Sequence, residues 1–555
     1  MGYCKCYKRD NIISIDSCLN NMDTSHSKEF HENTKHSEVS VQMGGHRLDF
    51  GNKPTPFKFY KNLSSIQLPT SFPMPDKGAL EAISTVGKTK QGSSEIGLEI
   101  LAELLFFTGG ITRELNYGAD TYFMRAASAT GALYPIELYI VCANLNGLKS
   151  GVYHFNPGEF SLTCLRHGDY RSILFKASGG DSHMNNSPVT IIFSSIAWRN
   201  AWKYRDRSYR HWFWDSGVMA TNLLSTTNSV GIKASLNLGF IDDEVNNLLC
   251  LDDRHEAAVA LGTLSVGAPN IDSLEKETTE HSEMPLLNHE TFPLSQKGEV
   301  QYDSIWKVHE ASKLHSNREV TKWVNAELNL GQDRTKKSSL LETTQLLPVK
   351  HSNNPSLGQT ILKRGSSRKF SHKSISFEQL SNILHSTTEI VPLDFIKRSQ
   401  TSTTEVYFIA NAVEDLQGGS YYFNRHSELI ELLKKDVHRD VSGYLCLWQS
   451  LFSDASVVFF LMTPLDQVLE TYGNRGYRAA QFEAGIIAGK IYLSSYAQGI
   501  GASGSTFFDD AVTEFFSPHA KNKSTMIAVG VGVPPYESKS GKIYAGKWNR
   551  DQLVT

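Results

Sequence analysis

The feature that most constrains this chain of 555 residues is that it repeats itself. Glu137, Tyr139, Gly151, Tyr153, Phe155 and Asn156 return 268 positions later as Glu405, Tyr407, Gly419, Tyr421, Phe423 and Asn424. At the same spacing, Tyr204, Arg207, Tyr209, Arg210, Gly217, Ala220, Gly231, Ile232, Ala234, Phe240 and Asp242 match Tyr472, Arg475, Tyr477, Arg478, Gly485, Ala488, Gly499, Ile500, Ala502, Phe508 and Asp510. Glycines and aromatics recurring in one ungapped register mark a duplicated unit. Two related units on one chain can pack about a pseudo-twofold axis, each burying the same kind of surface. A site at that junction draws residues from both.

The repeat is asymmetric where it matters. The first unit carries Arg125-Ala-Ala-Ser-Ala-Thr-Gly-Ala-Leu-Tyr-Pro135, and the corresponding stretch 393–403 has neither Ser-x-x-Gly-Ala nor Tyr-Pro. The second unit opens on Arg364-Gly-Ser-Ser-Arg-Lys-Phe370. Aligning Leu101 with Leu380 and Leu104 with Ile383 sets Thr85, Gly87 and Thr89 against Arg364, Ser366 and Arg368. Two guanidinium forks around a hydroxyl suit a phosphate or the carbonyl edge of a ring. A solvated basic loop has the same composition. Each unit thus supplies what the other lacks.

Composition limits the alternatives. Forty per cent hydrophobic residues and a net charge of -3 describe an ordinary soluble globular protein and give no reason to expect nucleic acid. No run reaches the roughly 18 apolar residues of a membrane span, and no secretory signal is expected at the N-terminus. Seven cysteines make no disulfide framework, so a reducing cytoplasm is the expected compartment. Cys4, Cys6 and Cys18 fit no zinc spacing, and His26, His31 and His36, five apart, read as a solvated segment, so no metal site is expected.

The organisation expected is a polar segment and extended arm over 1–76, a first domain over 77–268, a connector with one or two helices over 269–357 and a second domain over 358–555. Helices are predicted over 98–107 and 212–227, and strands over 137–144, 151–155, 160–165, 189–194 and 231–237. Helices and strands alternate without a regular βα period, which gives an α+β class.

The motifs resemble the FMN-dependent nitroreductase superfamily, and more closely its SagB-type (McbC-like) dehydrogenase branch. The resemblance rests on Arg125-x-x-Ser128-x-x-Gly131-Ala-Leu-Tyr-Pro135, Gly151-Val-Tyr-His-Phe155, Lys203-Tyr204-x-x-Arg207-x-Tyr209-Arg210, Arg364-x-Ser366-x-Arg368 and Gly499-Ile-Gly-Ala502. His31-Glu-Asn-Thr-Lys35 also resembles a segment found early in that branch. The resemblance implies two tandem domains forming an intramolecular pseudo-dimer. It also implies FMN held between the R-x-S-x-R loop of one unit and the Ser-Gly loop of the other. Carried over, Arg364, Ser366, Arg368, Gly499, Gly501 and Ala502 of the second unit and Arg125, Ser128, Gly131 and Ala132 of the first make one complete site, with Lys539 and Lys542 as possible additions at the phosphate. The opposite site, left with Thr85, Gly87 and Thr89, has no charge for a phosphate, so one FMN per chain is expected.

The resemblance further assigns Lys203 and Tyr204 to the dehydrogenation of an azoline ring to an azole, the lysine serving as base. Thr471-Tyr472 stands at their place in the second unit. An amine that accepts a proton must be partly neutral, which burial favours, and Arg199, Arg205, Arg207 and Arg210 are expected to help. Read bare, this run is a basic helix face with Trp198, Trp202, Trp212 and Trp214 as packing, or a surface for an acidic leader peptide. Implied partners are a peptide or peptide-derived substrate and a cyclodehydratase or carrier enzyme, with no nucleic acid and no membrane. A nitro- or quinone-type reductase using NAD(P)H and a non-catalytic scaffold are the alternatives. The chain is expected to be a pseudo-dimeric monomer or a higher oligomer.

Overall fold

The apolar runs of the two units become the middle strands of two seven-stranded sheets. In the computed structural model, residues 20–553 are described apart from 90–94, 119, 253, 266–284, 329–341, 350–353, 390 and 397–401. Cys4, Cys6 and Cys18 lie outside the described residues.

The first unit's strands are β1 (Ser65–Gln67), β2 (Ile111–Tyr117), β3 (Asp120–Arg125), β4 (Ile136–Cys142), β5 (Gly151–Asn156), β6 (Ser161–His167), β7 (Val189–Ile196), β8 (Lys233–Asn237) and β9 (Glu256–Ser265). The second unit's are β10 (Thr343–Gln345), β11 (Glu405–Ala410), β12 (Gly419–Asn424), β13 (Leu429–Lys435), β14 (Val457–Thr463), β15 (Gly501–Ser505) and β16 (Ser524–Gly532). The sheets run β1-β6-β5-β4-β7-β9-β8 and β10-β13-β12-β11-β14-β16-β15, antiparallel throughout, while β2 and β3 form a separate hairpin. Register repeats with the sequence: Leu138 faces Phe155 as Val406 faces Phe423. Every residue of β4, β7 and β14 is buried, because these strands are covered on both faces and need no polar alternation. The α+β fold and the two tandem domains are as expected.

The units meet along two long helices, Ser208–Ser229 and Asn474–Ala497, nearly all of whose residues are buried. Glycines let the backbones touch. A Cβ on Gly217 would lie 2.4 Å from the Phe482 carbonyl oxygen, and one on Gly485 would lie 2.6 Å from that of Trp214. Only glycine tolerates such an approach.

Reciprocal ion clamps flank the crossing. Arg475 and Arg478 of the second unit hold Asp242 of the first at 2.5 and 2.6 Å, and Arg207 and Arg210 of the first hold Asp509 of the second at 3.1 and 2.8 Å. The ungapped pairing of Asp242 with Asp510 is therefore corrected. The second unit is one residue shorter between strand and helix, so Asp509, the first residue of the Asp509–Phe516 helix, takes the role of Asp242 at the start of Asp242–Leu248. Phe507, not Phe508, likewise matches Phe240: Arg207 lies over Phe507 as Arg475 lies over Phe240.

Two further helices cap these clamps. In Ser25–Asn33 and the residue after it, the carbonyl of His31 and the hydroxyl of Thr34 accept from Arg210. In and after Asp303–Ala311, the carbonyl of His309 and the hydroxyl of Ser312 accept from Arg478. The sequences agree: His31-Glu-Asn-Thr-Lys35 returns as His309-Glu-Ala-Ser-Lys313. Edge strands β1 and β10 match too, pairing with β6 and β13 in the same register. The stretch expected as a connector thus carries the second copy of the N-terminal elements. His31 is correspondingly not solvated but 3% exposed, its ring edge-on to Tyr477. Among the described residues no helix is long and apolar enough to cross a membrane, and no group of side chains is arranged to hold a metal.

Gly485→Val sets a branched side chain against backbone that cannot yield, and a loss of about 3 kcal/mol is expected in a denaturant melt. Burial alone would raise the Asp242 and Asp509 carboxyls, but the paired arginines overcome it and hold both well below the ordinary range. Their contribution is complete above the unfolded value near pH 4 and is lost as pH falls toward the lowered one. Stability should therefore be level from pH 7 to about 5 and decline below. Asp509→Asn, leaving two buried cations short of charge, should lower stability by roughly 3 kcal/mol at pH 7 and flatten the acid limb.

Candidate functional site

The Ser-Gly loop and the R-x-S-x-R loop, 240 residues apart in the chain, are in direct contact. Arg364 follows the helix Leu357–Lys363 and is buried. Its Nε donates to the Ala126 carbonyl at 3.0 Å and its Nη2 to that of Arg125 at 2.7 Å. From the other side Arg113, on β2, donates to the carbonyls of Arg364, Leu362 and Lys363 at 2.6–3.0 Å, and to Lys539 at 3.0 Å. Two arginines, one from each unit, thus join the loops through main-chain acceptors. Arg113 had no warning in the sequence, because among the described residues the hairpin that bears it has no second copy.

Within the first loop, Gly131 has φ +64°, and Ala132 and Tyr134 are also left-handed. Arg125 is buried, donates to the Pro56 carbonyl at 2.6 Å and lies over the Tyr134 ring. Ser128 and Ala132 are half-buried beside it. Thr130 is held by Asp215 of the Ser208–Ser229 helix: its N–H donates at 2.9 and 3.0 Å and its hydroxyl at 2.7 Å. Burial pushes the Asp215 carboxyl up to about 7, with the Thr130 bonds working against the rise.

Within the second loop, Ser367 docks on β15, its N–H donating to the Ala502 carbonyl at 2.9 Å. A Cβ on Gly501 would lie 2.0 Å from the Ser367 Oγ. The Ser366 hydroxyl is 3.5 Å from the Tyr492 hydroxyl, which also accepts from the Gly504 N–H. Gly499, at φ +75°, closes the turn between the long helix and β15 and has open space above it. The Arg368 side chain is exposed, and among the described residues no hydrogen bond or ion pair engages it.

Lys203 and Tyr204 end the helix Ala197–Tyr204, where Arg205 turns the chain at φ +51°. The Lys203 ammonium lies 5.2 Å from the centre of the Tyr204 ring. A Cβ on Gly131 would lie 2.7 Å from the Tyr204 hydroxyl, so the phenol rests directly on the loop. Although its side chain reaches solvent, the Lys203 amine is lowered, by partial burial and then by the charge of Arg368. Tyr204 is raised, by burial and then by Asp215. The expected helpers are corrected: Arg199 is committed to Glu137, and Arg207 and Arg210 to Asp509, so Arg368 of the other unit supplies the repulsion. The four tryptophans are buried packing.

The loops therefore bring together two cations, Lys203 and Arg368, an amine whose pKa is lowered, a phenol whose pKa is raised, and backbone exposed at glycines. That set suits an anionic, planar, hydrogen-bonding ligand.

The opposite site is filled at its β8 end, while a cavity of about 680 Å³ remains beside Thr85, Thr89 and Gly231, the counterparts of Arg364, Arg368 and Gly499. The segment Val391–Phe395 lies along β8, the counterpart of β15: the Leu236 N–H donates to the Pro392 carbonyl at 2.8 Å and the Asp394 N–H returns a bond to Leu236 at 3.0 Å. The Asp394 carboxylate accepts from the Leu238 and Gly239 amides. Trp323, on the helix Asn317–Val324, packs on Phe395 and on Tyr472, the counterpart of Tyr204. Thr85 and Thr89 bond to Glu81, Val86 and Asn228.

The family model described as the Nitroreductase family matches residues 93–267 and again 361–533, more than half of the chain. The chain belongs to that family. Microcin B17-processing protein McbC of Escherichia coli is 32% identical over 133 residues, 22% of this chain and 47% of McbC. Trifolitoxin-processing protein TfxB of Rhizobium leguminosarum bv. trifolii is 27% identical over 173 residues, 30% of this chain and 46% of TfxB. The matches thus span about half the length of these two proteins. A solved nitroreductase structure from Anabaena variabilis covers 92% of this chain and 100% of its own, with TM-score 0.72 at 24% identity, a likeness of the whole two-unit fold.

Arg368→Ala should raise the Lys203 pKa by removing the facing charge. Acetylation of Lys203 at pH 8, followed by mass spectrometry, is expected to slow relative to other lysines.

Proposed function

We propose that the chain is an FMN-dependent oxidoreductase that dehydrogenates an azoline ring to an azole in a peptide or peptide-derived compound. The observation that carries the reading is the joint made by Arg364 on the Arg125 and Ala126 carbonyls, which gathers Lys203, Tyr204, Gly131 and Arg368 in one cleft. The residues fit the cofactor. Arg368 and Ser366 offer charge and a hydroxyl to the phosphate or pyrimidine edge, and Gly131, Ala132, Gly501 and Ala502 offer backbone on either side. Arg364 and Arg125, whose side chains are engaged by carbonyls, brace the loops.

When bound, FMN supplies the two-electron acceptor. The chain's residues handle the proton and the geometry. Dehydrogenation takes a proton from ring carbon, and Lys203 receives it at Nζ, whose pKa is lowered by partial burial and then by Arg368. Tyr204 keeps its proton and serves as a hydrogen-bond donor above Gly131. Oxygen as the final acceptor, a cyclodehydratase as the supplier of the ring, and a cytoplasmic setting complete the proposal. The similarity to McbC and TfxB, both named as processing proteins, supports the substrate class.

The plug over β8 supports a single cofactor site. The purified protein should be yellow with a flavin-to-protein ratio near one, and Arg368→Ala should lose flavin on dialysis. A ratio near two overturns the single site. Lys203→Ala should keep its flavin and slow oxidation of a synthetic thiazoline peptide by roughly 10²–10⁴-fold. Rapid bleaching by NAD(P)H without oxygen, unaffected by Lys203→Ala, would instead favour a reductase.

A further inference from the structure

Asp215 lies within the Ser208–Ser229 helix, 4% exposed, beneath the cleft rather than in it. It makes contact with the two elements whose spacing defines the site. One is the loop, through both donors of Thr130. The other is the helix that ends in Lys203 and Tyr204, through Asn200, whose Nδ2 donates at 3.4 Å. Asn200 stands one helical turn before Lys203, so the tie acts close to the reacting end. Gly131, next to Thr130, is where the Tyr204 hydroxyl rests.

The other unit provides a control inside the same molecule. Glu483 occupies the place of Asp215 and still holds the N–H of Thr403 at 2.9 Å, and its hydroxyl as well. The second tie is absent there: Val468 replaces Asn200, and Thr471 replaces Lys203. An acid at this place on the long helix thus holds a threonine in each unit, although Thr403 stands where the first unit has Pro135, not Thr130. The tie to the lysine-bearing helix is found only where the lysine is.

We infer that Asp215 is a positioning residue that locks the Thr130–Gly131 loop to the Lys203–Tyr204 helix end and sets the phenol of Tyr204 on the loop. This rests on the proposed function for its catalytic meaning but not for its geometry. Asp215 touches neither substrate nor cofactor and acts through Thr130 and Asn200. The groups that face Tyr204 are Asp215 from below, the ring of His211 at 4.7 Å, Lys203 beside it and Arg368 across the cleft. His211 is neutral, held well below its ordinary value by burial and by Arg207 and Arg210, so the Tyr204 phenol is raised by burial first and then by the Asp215 carboxylate.

The test compares Asp215→Asn with Asp215→Glu, the acid the other unit uses. Nitration of Tyr204 by tetranitromethane, which requires the phenolate, is followed by mass spectrometry across pH 6–10 and needs neither substrate nor flavin. Asp215→Asn is expected to move the Tyr204 profile to lower pH, and Asp215→Glu to restore it. On a synthetic thiazoline peptide, Asp215→Asn should lower kcat by roughly 10–100-fold with KM and flavin content unchanged. Coincident nitration profiles of wild type and Asp215→Asn, or a Glu variant that behaves like the Asn variant, overturn the inference. If the Asn variant does not fold, Asn200→Ala takes its place, and an unaltered kcat then overturns it. A wild-type protein that leaves the thiazoline peptide unoxidised sinks the proposed function alone, and the nitration result still decides the role of Asp215.

Discussion

Everything in this molecule is arranged around the contact of two helix backbones at Gly217 and Gly485. Helices normally pack with side chains between them, at interaxial distances of about 8–10 Å. Here neither helix has a side chain at the crossing, so the main chains touch and the junction tolerates no slippage. The Arg–Asp clamps on either side then meet a strict geometric demand. Each removes two guanidinium groups and a carboxylate from water, which is unfavourable unless the partners are in register. Their register is fixed by the glycine contact, and the capping carbonyls of His31 and His309 take up further donors. A site assembled from both units inherits that rigidity. Asp215 lies on one of the two crossing helices, and Tyr492 and Tyr496, beneath the R-x-S-x-R loop, lie on the other.

Much of the fold was legible because the constraints that shape a repeat act through residue types. Glycines at the crossing, arginines in the clamps and aromatics along β4–β5 and β11–β12 have no substitutes, so they survive in both copies and betray the register. The first helix escaped notice for a different reason. Its copies, at His31 and His309, are 278 apart, while those at Glu137 and Glu405 are 268 apart. The hairpin β2–β3, found among the described residues in the first unit only, accounts for the change in spacing. The shift from Asp510 to Asp509 has the same origin on a smaller scale, a single residue missing from a turn.

The site was legible in part. The sequence marks which loops face the cleft, since each unit lacks the other's motif, and the contact of Arg364 with Arg125 and Ala126 fits that reading. It does not mark which side chains face the cleft and which hold it together. Arg364 and Arg368 are the same residue type in one loop, yet one is buried on carbonyls and the other is exposed. Burial and partner decide that difference, and neither is local in sequence. Arg113 and Asp215 are legible only in three dimensions, for they bond to main-chain atoms and to a threonine, partners that leave no motif.

The asymmetry has a physical rationale. In a dimer of identical chains, a substitution that fills one site fills both. Once the units are fused, the two sites mutate independently, but the junction does not: it needs both copies of the glycine, the arginine pair and the acid. That is the pattern seen. The elements shared by the units are those of the junction and an acid on the long helix, Asp215 holding Thr130 and Glu483 holding Thr403 from a different place in its loop. The elements that differ are those that would touch a ligand. A cleft without a ligand leaves the amides at the end of β8 buried without partners, which is unfavourable by about 1–3 kcal/mol each. Pro392 and Asp394 satisfy them, and Trp323 covers the apolar ring of Tyr472. The segment at 391–395 therefore supplies, along β8, the partners that a bound ligand would otherwise have to supply.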